Sequence, residues 1–222
     1  MSDESLPLDY KVKVAMKHFN VSVPAQSEPA WAPLVARWHQ LDEATYAVVE
    51  AAYRYSKDFP EEWDLVRPQS IWMAAPGGSN AADYDFILHG SRSPSRFVGT
   101  LPSIRSSSLS LLMNWRGPVM CLQQGEETML RGFEEIYWHL LASQSEPSWL
   151  ITTTKTFEGQ QTTYKVSFFC FGSDADNEFL FSKDPSARSD VFISHLNLAA
   201  QCEARETKRI GIGLGLTFVR KT

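Results

Sequence analysis

The sequence predicts a single α/β domain across residues 1–222. Short apolar strands alternate with amphipathic helices, a Thr- and aromatic-rich hairpin follows them, and no linker interrupts the series. With 43% hydrophobic and 21% charged residues the chain can bury one good core, and seven tryptophans point to a large core or a buried interface. A net charge of -5 with scattered basic residues argues against nucleic acid as a partner. Cys121, Cys170 and Cys202 fall outside any zinc-ligand spacing, which fits free thiols in a reducing cytoplasm and implies neither metal nor cofactor. The acidic start lacks a secretion signal and no apolar run reaches membrane-spanning length, so a soluble, cytoplasmic protein without a membrane span is expected.

The alternation in "KVKVA", Lys11 to Ala15, predicts a first strand, followed by an irregular Pro-containing stretch from Val21 to Ala32 near a surface. In "LDEATYAVVEAAYRYSKD" Asp42 is placed to cap a helix, with Ala44, Val48, Ala51, Ala52 and Tyr55 near one face. "QSIWMAAPGG" reads as a buried strand ending in a turn. "SNAADYDFILHG" then reads as a helix capped by Ser79 or Asn80 and stopped by Gly90. Pro102 suits the first turn of the next helix, whose apolar residues include Ile104, Leu111 and Leu112 and which Gly117 and Pro118 end.

"VMCLQQ" is a short strand. The helix from Glu126 to Leu141 puts Met129, Leu130, Phe133, Ile136, Tyr137, Leu140 and Leu141 on one stripe, with Arg131, Glu134, Glu135 and His139 largely outside it. "SWLITTTKTFEGQQTTYKVSFFCFG" predicts two strands around a Glu158-Gly159 turn. "VFISHLNLAAQCEA" has helical character, and "RIGIGLGLTFVRK" reads as a last strand. "GIGLG" mimics part of a dinucleotide fingerprint, but too few residues follow to build the helix that a phosphate site needs.

The order of "SPSRF", a helix, "RGP", a strand and a long helix resembles the ketosynthases, most closely between Leu41 and Ser143. The resemblance implies a truncated thiolase-like fold, the ketosynthase N-terminal half, with a mixed sheet and flanking helices. In that family a reactive cysteine opens the buried helix, where the helix N-terminus assists acyl transfer. The equivalent position here is Glu126, and Cys121 lies five residues upstream, inside the strand. A carboxylate is a poor substitute for a thiolate attacking a thioester, so the resemblance implies a lost nucleophile. Ketosynthases also use two histidines from a second half, for which this chain leaves no room. The amphipathic helix after Glu126 agrees, since a helix sandwiched between two sheets should be apolar all round.

The resemblance therefore narrows to the short chain-length-factor-like relatives of type II polyketide and aryl-polyene systems. It implies a non-catalytic subunit that heterodimerises with a ketosynthase and meets acyl carrier protein only indirectly. The implied interface is Val119, Met120, Cys121, Leu122 and Gln123, and Leu109, Leu112 and Met113 are either core or acyl-tunnel residues. Glu126 itself reads as a helix cap or a general base, with the cap favoured because no His or Lys lies nearby in sequence. The five histidines form no paired motif on one element and read as surface or structural. Two other functions stay open: a small acyl-thioester hydrolase or transferase using Glu126 or Cys121, and a homodimeric scaffold for acyl carrier protein.

Overall fold

A computed structural model describes residues 9–23, 27–74, 87–88, 103–122, 128–143, 147–158, 161–172, 177–182, 207–211 and 214–220. Eight strands among these residues form one mixed sheet in the order β3-β2-β4-β5-β1-β6-β8-β7. β1 is Asp9–Val23, β2 Ser70–Ala74, β3 Val119–Leu122, β4 Ser148–Glu158 and β5 Gln161–Phe171. β6 is Asn177–Ser182, β7 Thr207–Gly211 and β8 Leu214–Arg220. The helices are α1 (Glu43–Asp58), α2 (Pro60–Leu65), α3 (Ser103–Met113) and α4 (Thr128–Ser143). No helix of the described residues is long and apolar enough to cross a membrane.

β2 pairs in parallel with both β3 and β4, and the remaining pairings are antiparallel. Parallel strands need crossovers, and α3 and α4 lie in them. The helices cover both faces of the central strands, which is why all five β2 residues are buried. Trp72, Ala74, Leu150, Phe169 and Phe171 join Phe133, Ile136 and Leu140 of α4 on one face. Ile71, Met73, Trp149, Ile151 and Phe168 join Ala47, Val48 and Tyr55 of α1 and Leu109 of α3 on the other. Alternation along each strand sorts its residues between these two clusters.

The expected first strand is longer than "KVKVA" and continues to Val23. Val12 and Val14 face α4, while Val21 and Val23 face α1, so the strand is covered on opposite faces at its two ends. The stretch after it was expected near a surface, yet Trp31 and Val35 are fully buried against Val49 of α1. Trp31 Nε1 donates to Glu50 Oε2 at 2.7 Å, which holds this segment to the helix.

Asp42 caps α1 as its position predicts: its carboxylate accepts from the Thr45 backbone N–H at 3.0 Å and from the Thr45 hydroxyl at 2.6 Å. Asp42→Ala is expected to lower stability by about 1 kcal/mol, read as a lower urea midpoint at unchanged slope. The same midpoint in the variant would refute that role.

The hairpin closes as predicted, with Glu158 opposite Gln161. α3 departs from expectation. Leu111 is 60% exposed, because α3 turns Ser108 and Leu109 inward, one step round the helix. The single last strand expected in "RIGIGLGLTFVRK" is two, since β7 and β8 pair antiparallel with Gly211 opposite Leu214. Glycines at alternate positions make such a reversal easy, and "GIGLG" therefore joins two strands and opens no helix. β6 was not anticipated. The 191–204 helix and the bounds Ser79, Asn80 and Gly90 of the other fall outside the described residues; of that second segment Ile87 and Leu88 are described, and they are helical and exposed.

α4 touches β2, β3 and β4 at one end of the sheet and β7 at the other. Eight flat strands would separate those ends by roughly 30 Å, so the sheet must coil around this helix. α4 can lie so close because residue 132 is glycine: a Cβ there would meet Leu150 Cδ1 at 2.8 Å and Ala74 Cβ at 3.1 Å. Its outer side remains exposed at Glu135 and Trp138, and Arg131 pairs with Glu134. Those charges are therefore paired or solvated, as their sequence positions require.

Candidate partner edge and flanking site

β3 is the terminal strand of the sheet, and among the described residues no strand pairs with its outer side. The approach to it is fixed by Trp115 and Gly117, since a Cβ on Gly117 would lie 2.1 Å from the Trp115 ring. Ile71 N–H donates to the Pro118 carbonyl at 3.1 Å, and Ile71 is in register with Val119. In a parallel ladder the Ile71 carbonyl then takes the Met120 N–H, so the N–H and C=O groups of Val119 and Cys121 point outward. An open row of this kind is a template for another strand. The side chains are committed inward: Val119 and Cys121 pack on the α1–α3 cluster, and Met120 and Leu122 on the α4 cluster.

The expected interface residues Val119, Met120, Cys121 and Leu122 thus share one half-buried edge strand. Gln123 and Glu126 lie outside the described residues. Cys121 sits within the strand, before the first described turn of α4 at Thr128. Cys170 is buried beside Tyr55, and burial raises its thiol pKa far above the usual range, which makes it inert as a nucleophile. Leu109 is fully buried in the core. Leu112 and Met113 are half-buried, pack against the same core, and also line a cleft of about 250 Å³ between α3, α1 and α2. Among the described residues no three His, Cys, Asp or Glu side chains are grouped to hold a metal ion.

Two serine–histidine contacts escaped the sequence reading, because each joins residues far apart in the chain. Ser70 Oγ lies 3.1 Å from His139 Nε2 and 2.8 Å from Ser148 Oγ, tying α4 to the start of β2 and β4. Ser70 and Ser148 are fully buried, so this is a tie between elements and not a nucleophile with its base. His18 Nδ1 lies 2.8 Å from Ser167 Oγ across the β1–β5 pairing, with the His18 ring edge-on to Phe169. The alternation Val12, Val14, Met16, His18 was the available signal that this histidine shares the α4 face.

Burial, assisted by Lys165, lowers the His18 pKa to about 4 from 6.5. Below pH 6.5 the unfolded chain takes up a proton that the native ring refuses, so stability is expected to fall between pH 6.5 and 4 and then level. Allowing for the partial exposure of the ring, the loss is about 1–2 kcal/mol. Denaturation midpoints across that range should flatten in His18→Gln, and an equal slope in both proteins would contradict the assignment.

No family model matches the chain, and no curated protein matches it. Among solved structures it is similar to one chain of the complex between a ketosynthase (ApeO) and its chain length factor (ApeC) from Xenorhabdus doucetiae. The TM-score is 0.60 at 9% identity, over 95% of this chain and 100% of that one. The fold is thiolase-like. The mixed sheet carries helices on both faces, and β3 lies at the sheet edge with α4 following it in sequence. The two matched chains are of similar length, as their coverage of one another requires.

Proposed function

We propose that this chain is a non-catalytic, chain-length-factor-like subunit. It heterodimerises with a ketosynthase and shapes that partner's acyl tunnel during type II polyketide or aryl-polyene-like chain elongation. The observation that carries the reading is β3, an edge strand with outward N–H and C=O groups at Val119 and Cys121, in a fold similar to a chain of a ketosynthase–chain length factor complex. Glu126 at the position of the family's nucleophile supports a silent role. Helix α3, carrying Leu109, Leu112 and Met113, backs the edge strand, and through it the subunit sets how deep the tunnel runs. Its contribution to chemistry is positional: it holds the partner's loops and bonds to no substrate. Acyl carrier protein reaches it through the ketosynthase.

Co-expression of the tagged chain with the ketosynthase of its own host, followed by size-exclusion chromatography, tests the reading. A stoichiometric complex is expected. Elution of the chain alone in the presence of that ketosynthase would overturn it.

A further inference from the structure

β4, β5 and β1 lie side by side, and the face they turn to α4 changes character along its length. Leu150, Phe169 and Met16 form one row across the three strands under the helix. The next row is Thr152, Ser167 and His18, and the one after it is Thr154, Lys165 and Asn20. The face thus passes from wholly apolar to wholly polar in a single step. The core does not simply end at this level, because Val166 and Tyr164 on the opposite face of β5 remain buried against α1. Nor is this an ordinary solvated surface, since Thr152 and Ser167 are themselves fully buried.

Two groups in these rows lack a partner among the described residues. Thr154 Oγ1 is buried without a hydrogen bond, a costly arrangement unless something outside the chain satisfies it. His18 commits Nδ1 to Ser167 at 2.8 Å, and with Ser167 donating, the neutral ring carries its proton on Nε2 as a second donor. Lys165 stands beside Thr154 and diagonal to His18, and its charge joins burial in holding that ring neutral. No carboxylate occupies either row. Gly132 of α4 sits over Leu150 and Ala74, and Thr128 lies four residues earlier, about 6 Å along the helix. The positive end of α4 therefore reaches the row of Thr152. A hydroxyl, an imidazole N–H, an ammonium group and a helix amino end together suit a negatively charged acceptor.

We propose that these rows bind a small oxyanion, a carboxylate or phosphate group, held between Thr154, Lys165 and His18. The site belongs to this chain alone and does not rest on the ketosynthase reading.

Titration of the purified chain with acetate, inorganic phosphate and acetamide, followed through the His18 ring resonances by nuclear magnetic resonance, tests this. At least one of the two anions should shift those resonances saturably, and the tighter of them identifies the head group. Acetamide has the shape of acetate without its charge and should bind at least about tenfold more weakly. An anion beside the ring favours its protonated form, so His18 should titrate at higher pH when the site is filled. Thr154→Val keeps the shape and removes the hydroxyl, which should weaken binding about tenfold while the urea midpoint holds or rises. Lys165→Met should abolish the preference for anions over acetamide. A lower midpoint in Thr154→Val would mean that the hydroxyl is bonded within the fold. That result, undiminished binding in either variant, acetamide binding as tightly as acetate, or His18 resonances that respond to neither anion would overturn the assignment.

Discussion

Trp149→Ala should remove roughly half or more of the folding stability of the chain. Trp149 lies on β4, between β2 and β5, and is fully buried. Its ring stacks with Tyr55 at 6.3 Å and meets Trp63 and Phe168 edge-on at 5.0 and 5.7 Å. Its Nε1 donates to the Val66 carbonyl at 2.5 Å, tying the segment after α2 to the sheet. Truncating a buried tryptophan costs about 3–5 kcal/mol, and depriving that carbonyl of its donor adds about 1–3 kcal/mol. Against a total stability of about 5–15 kcal/mol the sum of about 4–8 kcal/mol is a large share, read as a strongly lowered urea midpoint. Trp149→Phe keeps most ring contacts and loses the hydrogen bond, so it should remain folded with a lower urea midpoint. A Trp149→Ala protein with the parent's midpoint would mean that this ring is not in the core.

If the proposed ketosynthase complex forms through β3, Val119→Pro should abolish it while the chain itself stays folded. Proline removes an N–H, and at Val119 that N–H points away from β2, where an edge strand tolerates the loss. At Met120 the N–H points toward the Ile71 carbonyl, so Met120→Pro removes a ladder bond and should damage the fold instead. The pair separates docking from folding by the parity of adjacent residues. Complex formation is read by size-exclusion chromatography, and folding by circular dichroism and thermal midpoint. A Val119→Pro subunit that binds the ketosynthase as well as the parent would show that the partner does not add to this edge.

The candidate site was partly legible. Val119 to Leu122 read as a strand because four apolar residues follow a Gly-Pro break, and Cys121 fell inside it by simple counting. That this strand ends the sheet was not legible, because sheet order is set by pairings with residues such as Ile71 and Met73, far away in the chain. The polar rows on the α4 face were missed for the same reason. Thr154, Lys165 and His18 lie on three different strands and meet only through their register.

What the sequence determined by itself was local: the Asp42 cap, the periodic faces of α1 and α4, the alternation at the start of β1, the buried run of β2 and the hairpin of β4 and β5. These follow from backbone geometry and from side chains within a few positions of one another. The tertiary structure decided the rest. It placed His18 against Ser167, left Leu111 in solvent, turned the last segment into two strands and coiled the sheet until β7 met α4. Each of these depends on which distant apolar faces bury one another, a choice made by packing the whole core at once and carried by no single segment.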